Sequence, residues 1–222
     1  MIRTGLIWSG VLILAMVGIS LYGMSTIPED ASIAIHWNIH GEADGYADKG
    51  FALWMMPAMA LAVSLFMAFI PLIEPRKKHL VQSGVLFRTA WVGSMMVVAV
   101  AHSVVVLTAS GMDLPVLQII MATVGLLLTL IGNLLGKSQS NFFVGIRTPW
   151  TLSSDRSWDK THRLAGRLWV LGGLGIAVGS FLVEASQIVF LMVGAVLVMT
   201  LIPVIASYFY WRGDKSTRAE EA

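Results

Sequence analysis

The histidines and carboxylates of one polar segment near the N-terminus are the first groups in the chain that could do chemistry. His36 and His40 are four positions apart, and Glu42, Asp44 and Asp48 follow them. Imidazole nitrogens and carboxylate oxygens are common ligands of divalent cations, so His36 and His40 are candidate metal ligands. However, the residue after His36 is tryptophan, where the His-Glu-x-x-His motif of zinc proteases has its general base. Three interpretations stay open: residues that only shape the segment, a binding site for a protein or peptide, and a metal site.

A second polar segment, residues 136–163, combines Arg, His and Trp side chains. Pro149 disfavours helix at the preceding residue, so we expect the chain to turn there. Ser153 or Ser154 can cap the helix that follows. We call this segment the elbow, and we predict that Arg147, Thr148, Pro149 and Trp150 form a fixed turn in it rather than a catalytic site. The candidate residues in and next to the elbow are Asn133, Asn141, Gly145, Arg147, Thr148, Pro149, Trp150, Trp158, His162 and Arg163.

The composition indicates which elements position these groups. Of the 222 residues, 56% are hydrophobic and only 13% are charged. Soluble globular domains have about 25% charged residues, so this chain has too few to cover a water-facing surface and is not expected to be a soluble enzyme. There is no cysteine, which excludes disulfides, thiolate catalysis and cysteine-ligated metals.

Six apolar stretches are long enough to cross a bilayer as helices, which takes about 20 residues each. They lie at 4–24, 51–73, 89–109, 114–135, 164–183 and 188–209. We expect the first to be retained, because it is longer than the core of a cleaved signal peptide, about 7–15 residues. The predicted fold is therefore an all-α polytopic membrane protein with six transmembrane helices. Glycine pairs at four-residue spacing, Gly132 with Gly136 and Gly175 with Gly179, would let helices approach closely.

The basic residues divide unequally between the two sides of this arrangement. Lys49 is on one side, and the other fourteen, including Lys215 and Arg218 in the tail, are on the opposite side. Since Lys and Arg are retained in the cytoplasm, both termini and the elbow are predicted to be cytoplasmic. Because the basic residues follow the two sides of the membrane, the net charge of +2 does not indicate a nucleic-acid partner, and no direct nucleic-acid binding is predicted. Two modules follow: residues 1–80, with two helices and the outer loop 25–50, and residues 81–222, with four helices and the elbow.

Each long connection has alternative roles. In the outer loop, apolar residues alternate at Ile33, Ile35, Trp37 and Ile39, which predicts a short extended segment at the membrane surface. This stripe either contacts an amphipathic ligand or seats the loop on the helices. The candidate residues for peptide binding are His36, Asn38, Gly41, Glu42, Asp44, Asp48 and Lys49. The elbow either anchors its basic residues at lipid headgroups or docks a cytoplasmic partner. Arg147 is expected to bond helix-end carbonyls, or the amides of Asn133 and Asn141.

Together the two segments resemble the SdpI family of bacterial immunity proteins, over nearly the whole chain. In the outer loop the family pattern is Pro, His-x-Asn-x-x-Gly, Asp-Gly and Lys. The matching residues are Pro28, His36, Asn38, Gly41, Asp44, Gly45 and Lys49. In the second module the pattern is Gly-Asn, then Asn-x-x-x-Gly-Ile-Arg-Thr-Pro-Trp-Thr-Leu, then Trp-x-x-Thr-His-Arg. The matching residues are Gly132, Asn133, Asn141, the run 145–152, Trp158, Thr161, His162 and Arg163.

This resemblance implies a multi-pass protein of the bacterial cell membrane that protects its producer against a secreted killing peptide. For the family's archetype it also implies signalling, in which toxin engagement lets the membrane protein sequester a cytoplasmic autorepressor. The expected partners are membrane lipid, a toxin peptide and that autorepressor, with no cofactor and no catalysis. The alternatives are a metal-dependent membrane enzyme built on His36 and His40, and a small-solute transporter. The lack of a carboxylate in the middle of any span counts against the transporter.

Overall fold

The computed structural model describes residues 1–214 and shows a mostly helical protein. Lys215 and Arg218, which contribute to the predicted sidedness, lie outside the described residues. The helices, in chain order, are α1 (Ile2–Thr26), α2 (Lys49–Ile73), α3 (Lys77–Gln82), α4 (Gly84–Ala109), α5 (Val116–Leu135), α6 (Pro149–Ser153), α7 (Asp155–Gly179) and α8 (Ala185–Arg212). Between α1 and α2 lie two strands, β1 (Ser32–Trp37) and β2 (Ala43–Asp48).

Five of the described helices are long and apolar enough to cross a membrane: α1, α2, α4, α5 and α8. The predicted spans at 4–24, 51–73, 89–109, 114–135 and 188–209 correspond to them. The stretch at 164–183 forms part of α7, but that helix begins earlier, at Asp155, and carries repeated charges as far as Arg167. Its average apolarity is therefore lower, and a sixth crossing stays a prediction.

The expectation of an all-α fold is wrong at the outer loop, which contains a β-hairpin. Strand β1 pairs with β2 in antiparallel register, from Ser32 opposite Asp48 to Trp37 opposite Ala43, with irregularities around His36. The extended segment predicted from the alternating isoleucines is present as β1. Its partner strand was not predicted. Residues 32–48 are called the hairpin below.

A buried histidine joins the first three long helices. His102 on α4 is fully buried, and its Nε2 lies 3.0 Å from the Ser20 hydroxyl oxygen on α1. That hydroxyl in turn donates a hydrogen bond to the Leu53 carbonyl on α2, at 2.7 Å. Nearer the N-terminal end of α1, the fully buried Trp91 ring packs over Gly5. Polar groups are costly in lipid unless they are paired, so this chain of hydrogen bonds favours one arrangement of α1, α2 and α4.

Helices α5 and α7 pack backbone to backbone in antiparallel orientation. A methyl group added at Gly125 would lie 2.6 Å from the Ala177 nitrogen, and one added at Gly132 would lie 2.8 Å from the Val170 nitrogen. From the other helix, a methyl group at Gly166 would lie 2.8 Å from the Gly132 carbonyl oxygen. Only glycine permits such an approach. This contact, called the glycine seam, also includes Gly173 and holds α7 along most of α5.

Candidate functional site: the hairpin and the elbow

Cross-strand contacts fix the shape of the hairpin. His36 Nδ1 lies 2.6 Å from Asp44 Oδ1, and both side chains are largely exposed, at 70% and 44%. Gly45 stands opposite His36, where an added methyl group would lie 2.8 Å from the His36 Cβ. His36 therefore has a carboxylate partner across the strands. His40 lies in the turn beyond β1 and is exposed.

The turn of the hairpin is organised by Asn38. Its side-chain oxygen accepts hydrogen bonds from the backbone N–H groups of His40, at 2.8 Å, and Glu42, at 3.1 Å. Its amide nitrogen donates to the Glu42 carboxylate at 3.2 Å. Gly41 has a φ of +79°, a conformation that glycine adopts readily. A methyl group added there would lie 3.3 Å from the Leu117 side chain of α5 and 3.0 Å from the Ala185 Cβ of α8. The turn residues of the family pattern thus shape the tip and seat it on two helix ends.

At the base of the hairpin, Asp48 caps α2 and Lys49 bonds the start of α2 to the end of α1. Asp48 caps α2 by accepting a hydrogen bond from the Phe51 N–H at 2.9 Å. Lys49 is buried, and its ammonium donates to the Met24 carbonyl and to Glu29, both at 2.9 Å. The predicted outward cation therefore belongs to the hairpin's attachment and is not free at the surface.

The apolar stripe of β1 faces the helices, so it cannot serve as an exposed strip for a ligand. Ile33 is 3% exposed and belongs to a core cluster with Leu53 and Val106, against which Ile35 and Trp37 pack. Ile39 lies beyond the strand and is exposed. Of the two roles considered for the stripe, the seating role is the one that the packing supports.

The elbow is built around a stacked pair, Trp158 and His162, whose ring centroids are 3.9 Å apart. His162 Nδ1 lies 2.8 Å from the Trp158 carbonyl oxygen, and Nε2 accepts a hydrogen bond from the Ile146 N–H at 2.8 Å. This pattern requires a neutral imidazole with its proton on Nδ1. Gly145 has a φ of +121°, and a methyl group there would lie 2.4 Å from His162 Nε2. The glycine is therefore required for this contact.

Next to this pair, the Thr-Pro-Trp-Thr run begins the short helix α6. Thr148 and Thr151 form a capping box, each side chain accepting from the other's N–H, and Pro149 occupies the first helical position. The Thr148 hydroxyl oxygen also lies 3.1 Å from that of Ser207 on α8. Trp150 packs edge to face on Tyr208, at 5.3 Å between centroids. The turn predicted at Pro149 is confirmed, as is the Ser154 cap of α7, which accepts from the Ser157 N–H.

The expected partners of Arg147 are wrong. Its guanidinium is exposed and donates to the Phe142 carbonyl, a loop group rather than a helix end, at 2.8 Å. Asn141 is buried and instead orders its own turn, accepting from the N–H groups of Phe143 and Val144. Asn133 and Arg163 are exposed and line a separate groove between α5 and α7. The elbow candidates thus do not form one site: Asn133 and Arg163 line that groove, whereas a separate group is buried, namely Asn141, Thr148, Trp158 and His162.

A third group, which was not predicted, attaches the elbow to the connection between α2 and α4. Glu74 is fully buried and accepts hydrogen bonds from the N–H groups of Arg76, at 2.8 Å, and Phe142, at 3.0 Å. The Arg76 guanidinium donates to the Leu152 carbonyl at 3.1 Å and to the Ser140 hydroxyl, and lies over the Phe142 ring. No sequence motif links these distant residues.

Comparison with known proteins connects this geometry to a family. Residues 137–207 match the SdpI/YfhL protein family, and residues 11–61 match a domain of unknown function, DUF1648. The "Immunity protein SdpI" of Bacillus subtilis (strain 168) is 27% identical over 192 residues, which cover 86% of this chain and 88% of that protein. The resemblance to the SdpI family is confirmed. No solved structure matches the chain.

The family regions coincide with the two candidate sites. The SdpI/YfhL region contains most of the elbow with all of α6 and α7, and the DUF1648 region contains the whole hairpin. With five apolar helices and this similarity, the chain is a multi-pass protein of the bacterial cell membrane. Within residues 1–214, no three His, Asp or Glu side chains converge into a group that could hold a metal ion.

The buried histidine of the SdpI/YfhL region makes stability depend on pH. Burial lowers the pKa of the His162 imidazole to about 4, although its hydrogen bond to the Trp158 carbonyl raises it. In the unfolded chain the pKa is about 6.5, so on acidification the unfolded state takes up a proton before the folded state does. The stabilising contribution is complete above pH ~6.5 and is lost as the pH falls towards ~4.

We therefore expect the unfolding temperature of the purified protein to fall across that window. The loss in the free energy of unfolding is at most about 3 kcal/mol. The measurement is thermal unfolding in detergent between pH 7 and pH 4, with His162→Gln as the comparison. The variant is less stable throughout but should have a shallower pH dependence. Equal slopes for the two proteins would contradict the assignment to His162.

Proposed function

We propose that this protein is a membrane immunity protein that protects its producer against a secreted killing peptide, and that the peptide first meets the hairpin. The observation that carries this proposal is the similarity to an immunity protein over most of both chains. No catalytic step is proposed, since the family resemblance implies binding.

The charge of the outer loop supports a role in meeting a basic peptide. All five of its carboxylates are exposed, whereas its single lysine is buried. These carboxylates are Glu29, Asp30, Glu42, Asp44 and Asp48. Exposed charge of one sign attracts an oppositely charged ligand and raises its rate of association, most strongly at low salt. The exposed edge of the hairpin, not its buried isoleucine stripe, is therefore the proposed receiving surface.

Neutralising two of these carboxylates should weaken protection. Asp30 and Glu42 are suitable because neither caps a helix, whereas Asp48 caps α2. We expect Asp30→Asn with Glu42→Gln to lower the survival of a sensitive host challenged with a basic killing peptide, and to do so more at low salt than at high salt. Survival is measured at two salt concentrations and at matched membrane levels of the protein.

The matched control removes the same charge from the proposed cytoplasmic side of the protein. Asp155→Asn with Asp159→Asn changes two exposed carboxylates near the start of α7 and should leave protection unchanged. Unchanged protection in the variant at Asp30 and Glu42 at both salt concentrations would exclude the charge of the outer loop from recognition. The failure of every candidate peptide to kill the unprotected host would instead mean that the peptide has not yet been identified.

The proposed orientation places both termini and the elbow in the cytoplasm, with α7 as a sixth crossing. The glycine seam supports the crossing, because α7 runs along α5 from Arg163 near Gly136 to Ala177 at Gly125. Reporter fusions at Asp44 and Asp113 should show an outside location, and fusions at Lys78 and Ser154 an inside location. A cytoplasmic signal at Asp44 would contradict the whole orientation.

A cytoplasmic autorepressor is the further partner that the resemblance implies, and we propose the exposed face of the elbow for it. Arg147, Arg156 and Lys160 are exposed there, whereas Trp158 and His162 are buried. The hairpin tip contacts α5 and α8, and the elbow is bonded to α8 through Ser207, so one helix touches both sites. Co-purification of a repressor with the wild-type protein, lost in Arg147→Gln with Lys160→Gln, is the test; retention in that variant would exclude this face.

A further inference from the structure

A groove of about 570 Å³ lies between α5 and α7, on the side of the glycine seam next to the elbow. Its floor is formed by Gly132 and Gly166, two of the glycines at which the backbones of the two helices lie close together. The residues that line it are Gly132, Asn133, Gly136, Lys137, Arg163, Gly166, Arg167, Val170 and Leu171.

Three cations converge on one end of this groove. Lys137 follows the end of α5, and Arg163 and Arg167 are one turn apart on α7. All three are exposed, and within residues 1–214 none of their side chains has an ion-pair or hydrogen-bond partner. No carboxylate lines the groove. A second groove of similar volume, about 520 Å³, contains one cation, Arg88. Charge, not size, therefore distinguishes the first groove.

The other end of the groove is apolar. Val170 and Leu171 lie one turn beyond Arg167 along α7, on the same face of the helix as Arg163 and Arg167. Leu171 is exposed in a helix that packs against membrane-spanning helices. The groove thus has a cationic end and an apolar end, about one to two helical turns apart. A ligand that fits it has an anionic group and a hydrocarbon chain.

We propose that this groove binds one anionic phospholipid, with its phosphate on Arg163, Arg167 and Lys137 and an acyl chain along Val170 and Leu171. Guanidinium groups bind phosphate oxygens through paired hydrogen bonds, which are stronger than those between neutral groups. Basic pockets between helices at the membrane surface are suited to lipid headgroups. This inference goes beyond the proposed function and is independent of it, because it needs neither a toxin nor a repressor.

The test uses the purified full chain in detergent with added phosphatidylglycerol or, separately, phosphatidylcholine. We expect phosphatidylglycerol to raise the unfolding temperature and phosphatidylcholine to have no effect. Arg163→Gln with Arg167→Gln should weaken the apparent affinity for phosphatidylglycerol at least about tenfold. The matched control is Lys77→Gln with Lys78→Gln, which removes the same charge from exposed positions on α3 and should bind like the wild type.

Several outcomes would overturn the proposal. An equal loss in both double variants would mean that phosphatidylglycerol responds to the overall charge of the protein. Stabilisation by glycerol phosphate as strong as that by the lipid would assign the groove to a free phosphate. If the arginine variant does not fold, Lys137→Gln and native mass spectrometry of the unaltered protein replace it. Retention of phosphatidylcholine as readily as phosphatidylglycerol there would exclude an anionic-lipid site.

Discussion

Replacing Gly173 with leucine should prevent the protein from accumulating in the membrane. A methyl group at this position would already lie 2.5 Å from the Thr129 hydroxyl oxygen and 2.6 Å from the Gly125 carbonyl oxygen. The nearby backbone cannot give way unless α5 and α7 separate, which would also open the contacts at Gly132 and Gly166. We expect a cost of at least about 3 kcal/mol, the upper end for overpacked sites, since backbone rather than a flexible side chain blocks the space.

The matched control lies two residues further along the same helix. Gly175 has no atom within 4 Å of the position of an added methyl group and is exposed, so Gly175→Leu adds the same side chain without a clash. Membrane levels of the two variants, and thermal unfolding of any purified protein, make the comparison. Similar losses in both variants would show that the cost comes from leucine in α7 itself and not from the glycine seam.

This seam shows where prediction from sequence reached its limit. The four-residue spacing of Gly132 with Gly136 and of Gly175 with Gly179 indicated close packing, but the contacts repeat at seven residues, Gly125 with Gly132 and Gly166 with Gly173. A spacing within one helix indicates that one face carries small residues, but it does not identify the helix that packs against that face. Gly175, selected by the spacing, has nothing within 4 Å.

The helices themselves were more predictable than their ends. Hydropathy locates the part of a helix that matches the bilayer, so the span expected at 51–73 is α2, Lys49–Ile73. Where a helix continues beyond the apolar stretch, hydropathy does not detect its end: α4 begins at Gly84, five residues before the expected start of its span. The start of α7 was predicted within one residue because a capping serine, unlike hydropathy, marks a helix end directly.

The second strand of the hairpin was missed for a physical reason. Strand β2 alternates between its two faces, but its inward positions are Ala43, Gly45 and Ala47, which are too small to give a hydrophobic period. Gly45 belongs to a residue type that usually marks turns, but it lies within the strand opposite His36. The connection from Glu74 and Arg76 to the elbow was missed because hydrogen bonds between residues more than 60 positions apart leave no local pattern.

The largest expected effect within the elbow is that of Gly145→Ala. The substitution places a Cβ in a backbone conformation with φ of +121°, and 2.4 Å from His162 Nε2, where the Ile146 N–H donates its hydrogen bond. Backbone strain of this kind costs about 1–3 kcal/mol. Displacement of the imidazole would leave a buried N–H unpaired, which costs about 1–3 kcal/mol more. We expect the unfolding temperature to fall sharply, with loss of the Trp158–His162 stack.

Gly111→Ala separates these two contributions. Gly111 has a φ of +100°, but no atom lies within 4 Å of the position of an added methyl group, so only the backbone strain is present there. Gly145→Ala should therefore lower the unfolding temperature more than Gly111→Ala does. In a His162→Ala background the imidazole is absent, and the excess cost of Gly145→Ala should largely disappear, as a double-mutant cycle can measure. An undiminished cost in that background would mean that Gly145 is required for its backbone conformation alone, and that the contact with His162 is incidental.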